Sequence, residues 1–91
     1  MLRLYIAGNS ASSRRAEQNL AELQKHMKPG ERKTEVIDVL LQPELAEKAG
    51  VLATPTLSYD LSPRPRRIIG DLSDTKRILE FLGIEPNGDV V

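Results

Sequence analysis

The chain has no cysteine and no tryptophan among its 91 residues, and aromatic side chains make up only 3% of it. Without thiols there are no disulfides, no thiolate metal sites and no dithiol redox catalysis. Formal net charge is zero, so no overall field draws the chain to nucleic acid or to an anionic membrane. Base stacking has little to work with, because Tyr5, Tyr59 and Phe81 are the only aromatics. No apolar run approaches the ~20 residues that span a bilayer. Residues 1–4 alternate like a strand and lack a signal peptide's apolar core, so a cytoplasmic location is expected.

What is present suits one small globular domain, expected over residues 1–84, with residues 85–91 as a flexible tail. Hydrophobic residues are 40% and charged residues 29% of the chain, too apolar for a disordered segment. A chain this short has a thin core, and oligomerisation would support it.

Residues 2–7 alternate, with Leu2, Leu4 and Ile6 on one side and Arg3 and Tyr5 on the other, which predicts a strand. Gly8-Asn9 ends it. Ser10, Ser12 and Ser13 offer N-caps to a helix carrying Ala16, Leu20, Leu23 and Met27 at helical spacing. Lys28-Pro29-Gly30 is expected to stop that helix. Residues 33–39 are rich in β-branched types and predict a second strand, parallel to the first. Pro43 suits the first position of a short helix with Leu45, Ala46 and Ala49 as its stripe, and Gly50 closes it.

Residues 51–59 are strand-like, and Pro55 must sit at the strand's start or at an edge. A turn at Ser62-Pro63-Arg64-Pro65 leads to a hairpin partner, Arg66-Arg67-Ile68-Ile69, ended by Gly70. Ser73 is expected to cap a last helix, with Ile78, Leu79 and Leu82 on one face and Gly83 at its end. The predicted order is βαβαββα, an α/β chain with a thioredoxin-like succession of elements.

Three features invite chemistry, and each has a plainer reading. Thr54-Pro55 lies where thioredoxin-like folds carry a cis proline, although base rates for X–Pro bonds favour trans. Ser10-Ala11-Ser12-Ser13 occupies the place of a Cys-x-x-Cys loop but has no thiolate to offer, so helix capping explains it better than a thiol-independent transferase would. The one histidine, His26, is far along the chain from those serines and is expected in solvent. The carboxylates show no metal-ligand or acid–base spacing. Arg64, Arg66 and Arg67 form one cationic cluster and Arg14-Arg15 another. The Arg64–Arg67 cluster suits either a grip on phosphate or an acidic protein surface, or protection of a hairpin edge.

Five stretches, in order, resemble the KaiB family of bacterial clock proteins. They are Leu4-Tyr5-Ile6-Ala7-Gly8-Asn9, Val36-Ile37-Asp38-Val39-Leu40, Pro43-Glu44-Leu45-Ala46-Glu47, Val51 to Leu57, and Arg66 to Ser73. The resemblance implies a non-enzymatic regulator without a cofactor. It implies binding to a KaiC-like ATPase, with KaiA and the sensor domain of a histidine kinase as further partners. A variant of this reading is a stress or timing regulator that acts without KaiA. The resemblance also implies two folds: the βαβαββα order when bound to a partner, and a βαββααβ order in an unliganded dimer or tetramer. Arg3, Arg14, Arg15, Arg66 and Arg67 are the candidate partner-binding residues. Tyr5, Pro55, Gly70 and Asp71 are the candidate fold-switch residues, with Gly70-Asp71 as the hinge.

Overall fold

A computed structural model describes residues 2–27, 33–59 and 66–83. The element order is β1 (Leu2–Ile6), α1 (Ala11–Gln24), β2 (Thr34–Asp38), α2 (Pro43–Ala49), β3 (Thr56–Tyr59), β4 (Arg66–Ile69) and α3 (Thr75–Leu82). This is the βαβαββα order. The rearranged βαββααβ order is not the one adopted here.

The four strands form one sheet in the order β2-β1-β3-β4. β1 and β2 are parallel, joined through α1, while β3 runs antiparallel to both β1 and β4. Register assigns the faces, because successive side chains of a strand point to opposite sides. Leu4, Leu57 and Ile68 are paired across β1, β3 and β4 and share one face. Ala16, Leu20 and Leu23 of α1 and Ile78, Leu79 and Leu82 of α3 pack on that face in the main core. Leu2, Leu4 and Leu57 are completely buried there. The opposite face carries a smaller cluster, Tyr5, Ile37 and Ala46, under α2. β1 is thus buried on both sides, which suits its central position.

Local rules explain the helix ends. Ser10 accepts the Ser13 N–H and caps α1. Ser12 plays no such part, and Ser13 is fully buried. α1 ends at Gln24 with Lys25 as its C-cap, before the expected Lys28-Pro29-Gly30 stop, which lies outside the described residues. His26 is exposed just beyond that cap. Pro43 opens α2, and Gly50 closes it in the left-handed conformation (φ 72°).

The structure corrects three expectations. Asp74, not Ser73, caps α3: its carboxylate accepts the Arg77 N–H at 3.1 Å, while the Ser73 N–H is used by Asp71. β3 begins only at Thr56, since residues 51–55 bend into the sheet and Pro55 has no N–H to pair. The Thr54–Pro55 bond is cis, against the trans base rate. The predicted turn at 62–65 and the tail at 85–91 lie outside the described residues.

Candidate functional site

The candidate arginines do not share one surface. Arg3 of β1 stands beside Glu35 of β2 and Ser58 of β3, and Ser58 stands beside Arg67 of β4. Glu35, Arg3, Ser58 and Arg67 therefore form one row across the sheet, on the face that carries α2. Arg3 Nε meets Glu35 Oε1 at 3.1 Å. Arg67 reaches the end of α2, where its guanidinium donates to the carbonyls of Ala49 and of Gly50 (3.2 Å for Gly50). Those carbonyls form the negative end of the helix, so the arginine caps it electrostatically.

The next row on this face is Ile37, Tyr5, Thr56 and Ile69. Tyr5 is 3% exposed beneath α2, while Ile69 at the outer edge is 63% exposed. The helix has seven residues and covers only part of the sheet. It leaves a groove of about 470 Å³ between Arg3, Tyr5, Glu35, Leu45 and Lys48. A second hollow of about 460 Å³, mostly apolar, lies along the other flank of α2, from Pro43 to Gly50, and is also lined by Val39, Val51, Leu52 and Thr54. Leu40, Leu41 and Leu52 are the most exposed large hydrophobics and lie on the segments flanking α2. Leu52 is 99% exposed.

Arg66, next in sequence to Arg67, points to the opposite face, with its guanidinium carbon 5.4 Å from the Phe81 ring centre. Arg14 and Arg15 are both exposed on α1, and Arg15 is engaged with Asp71.

The candidate hinge residues do come together. Gly70 N–H donates to the Pro55 carbonyl at 3.0 Å, joining the end of β4 to the entry of β3. Gly70 has φ 131°, and two residues later Leu72, 4% exposed, has φ 65°. Asp71 between them is held from both sides. Its carboxylate accepts Arg15 Nε at 2.9 Å and the Ser73 N–H at 3.1 Å, and its carbonyl accepts Asn19 Nδ2 at 2.8 Å. The Ser73 side chain and then Arg15 hold the Asp71 carboxyl below its ordinary value.

The loop that would hold a dithiol is a closed hydrogen-bond set. Ser10 Oγ donates to Ser13 Oγ at 2.8 Å, and Ser13 Oγ accepts the Ala7 N–H at 3.0 Å. Asp38 Oδ1 accepts the N–H groups of Gly8 (3.1 Å) and Leu40 (2.9 Å), tying the ends of β1 and β2 together. Among the described residues no group of three or more His, Asp or Glu side chains could hold a metal ion.

Sequence reasoning missed Asn19, Leu72 and Phe81. Asn19 lies four residues after Arg15 on α1, hence on the same helix face, and that spacing was a usable signal. The left-handed Leu72 has no signature in the sequence. Phe81 was noted only as one of three aromatics.

A family model described as the KaiB domain matches residues 3–84. The chain belongs to the KaiB family. It is 51% identical over 79 residues to the circadian clock oscillator protein KaiB of Prochlorococcus marinus (strain MIT 9312), covering 87% of this chain and 75% of the relative. The KaiB of Synechococcus sp. (strain RCC307) is also 51% identical, over 87% of this chain and 72% of its own. Among solved structures, the N-terminal domain of Synechococcus elongatus SasA matches with TM-score 0.69 at 22% identity, covering 90% of this chain and 81% of that domain. Chloroplastic thioredoxin z matches with TM-score 0.73 at 22% identity, covering 90% of this chain and 74% of its own. The chain thus has a thioredoxin-like fold. No helix among the described residues is long and apolar enough to cross a membrane.

Proposed function

We propose that this KaiB-family chain is a non-enzymatic clock or timing regulator that binds a KaiC-type ATPase in the βαβαββα arrangement. The observation that carries this reading is the match to the KaiB domain over residues 3–84, with about half of all aligned residues identical to named clock proteins. The Ser10–Ser13 loop supports it from the chemical side. The Ser10 and Ser13 hydroxyls are spent on each other and on the Ala7 N–H, with no base within their hydrogen-bonded set, so the place of a redox centre serves as a helix cap.

The likeness to the SasA domain adds a second element. Two chains of the same fold can compete for one surface on the ATPase, and sequestration of KaiA would follow once the KaiB-type chain is seated. At 22% identity the SasA likeness concerns the fold alone, while the KaiB relatives reach 51%, so a kinase sensor domain is the weaker reading.

The proposal includes a second arrangement of the C-terminal half in a free dimer or tetramer. The connection from β4 to α3 supports it, because two of its residues, Gly70 and Leu72, hold positive φ values. Such backbone is costly outside glycine and persists only while surrounding contacts maintain it. Two packings of one segment then need to differ by only a few kcal/mol.

The test is to mix the purified chain with a KaiC-type hexamer and to follow the complex by gel filtration over hours. Slow growth of a complex, with the free chain running as a dimer or tetramer, is the expected result. A chain that never joins the hexamer under any nucleotide condition refutes the proposal.

A further inference from the structure

We propose that Arg66 and Arg77, framing a depression over Phe81, form a docking site for a carboxylate side chain of the partner protein; this deepens the partner-binding reading and rests on it. The depression has a volume of about 260 Å³ and lies between β4 and α3. Arg66 reaches it because it stands opposite Tyr59 in the β3–β4 register, on the face that α3 covers. Arg77 reaches it from α3, four residues before Phe81 and so on the same helix face.

The site is built to hold an arginine in place without using its donors. Phe81 lies under the Arg66 guanidinium and itself leans on Tyr59, with ring centres 6.4 Å apart. Contact with a ring face restrains the planar group and leaves its N–H edges available for a forked carboxylate. Among the described residues, neither Arg66 nor Arg77 enters an ion pair, whereas Arg3, Arg15 and Lys25 already hold Glu35, Asp71 and Glu22. Arg67 lines the same depression but spends its donors on the carbonyls of Ala49 and Gly50. Among the described residues, Arg66 and Arg77 are thus two cations without an ion pair that the fold brings to one depression.

Glu80, on the rim of the same depression, selects the kind of anion. Because the Arg67 guanidinium is turned to the end of α2 on the opposite face, the two guanidinium groups that face the depression and this glutamate leave a single surplus positive charge. That balances a carboxylate, while a phosphate dianion or a nucleic-acid backbone would meet the Glu80 charge at close range. The occupant that fits is an Asp or Glu side chain on a protein surface.

The experiment measures binding of the full chain to a purified KaiC-type hexamer at fixed ionic strength. The variants are R66A with R77A, R77A alone, R66K, and K33A as a charge-matched control for the single changes. The double variant is expected to bind about 30-fold more weakly or worse, R77A alone about fivefold, and R66K about tenfold because lysine keeps the charge but not the fork. K33A stays within twofold. A glutamate-rich peptide displaces the wild-type chain, and inorganic phosphate at the same ionic strength does not. Wild-type binding that the double variant leaves within twofold overturns this inference and spares the partner-binding reading. Displacement by phosphate in preference to the peptide overturns the carboxylate assignment. A wild-type chain that does not bind the hexamer overturns both. If the double variant fails to fold, as judged by circular dichroism, R77A decides, since Arg77 is exposed and its loss removes no core contact.

Discussion

Replacing Gly70 by alanine isolates backbone conformation from packing. Gly70 has φ 131°, and an added Cβ would meet no atom within 4 Å. Any loss on substitution therefore comes from the backbone, which an L-residue adopts there at a cost of about 1–3 kcal/mol. No clash has to be added to that figure and no new contact offsets it. If the proposed second arrangement rebuilds this turn without the positive φ, the equilibrium for forming the βαβαββα arrangement should fall about 5- to 150-fold. Two assays read this out. The midpoint of urea unfolding should drop with an unchanged slope, as for a stability change that leaves the exposed surface alone. The extent of complex formation with a KaiC-type hexamer should fall in parallel. I69A is the matched control one residue earlier, since Ile69 is 63% exposed and its truncation should move the midpoint little. If G70A unfolds and binds like wild type, the left-handed turn is not required for this arrangement and the hinge assignment fails.

The serine loop gives a second prediction. S13A should cost about 1–3 kcal/mol, because it removes a fully buried hydroxyl and leaves the half-buried Ala7 N–H without its acceptor, while S10A should cost about 1 kcal/mol as an ordinary lost cap. Equal losses by thermal or urea unfolding would contradict that ranking. Asp71 gives a third. Its folded pKa is depressed below 3.8, so its contribution is fully present above that value and is lost as pH falls from there through the lower folded value. Stability of D71N should consequently vary less with pH below about 4 than that of wild type. A parallel pair of stability–pH curves would show that Asp71 is not held as described.

Much of the fold could be read from residue pattern. Alternation at Leu2, Leu4 and Ile6, the serine before α1, Pro43 and Gly50 around α2, and the Arg66–Ile69 hairpin strand each reflect a local rule, and each element lies within a few residues of its expected place. Where the reading missed, contacts distant in sequence decided the outcome. Asp74 caps α3 by accepting the Arg77 N–H, one residue after the expected Ser73, whose own N–H donates to the Asp71 carboxylate. Asp71 in turn is fixed by Arg15 and Asn19, more than fifty residues earlier in the chain.

The site was legible only in its residue types. Sequence could nominate Arg3, Arg14, Arg15, Arg66 and Arg67 as cations, but charge alone does not say which are already neutralised. The register of the sheet sends Arg66 and Arg67 to opposite faces, and packing places Phe81 under only one of them.

By itself the sequence determined that thiol chemistry is absent, that seven elements follow one another in this order, and that five blocks match a family, because each of these depends on residue identity or local spacing. Only the tertiary structure decided the left-handed Leu72, the cis bond before Pro55, and the division of arginines into paired and available ones. Those depend on which atoms meet in space.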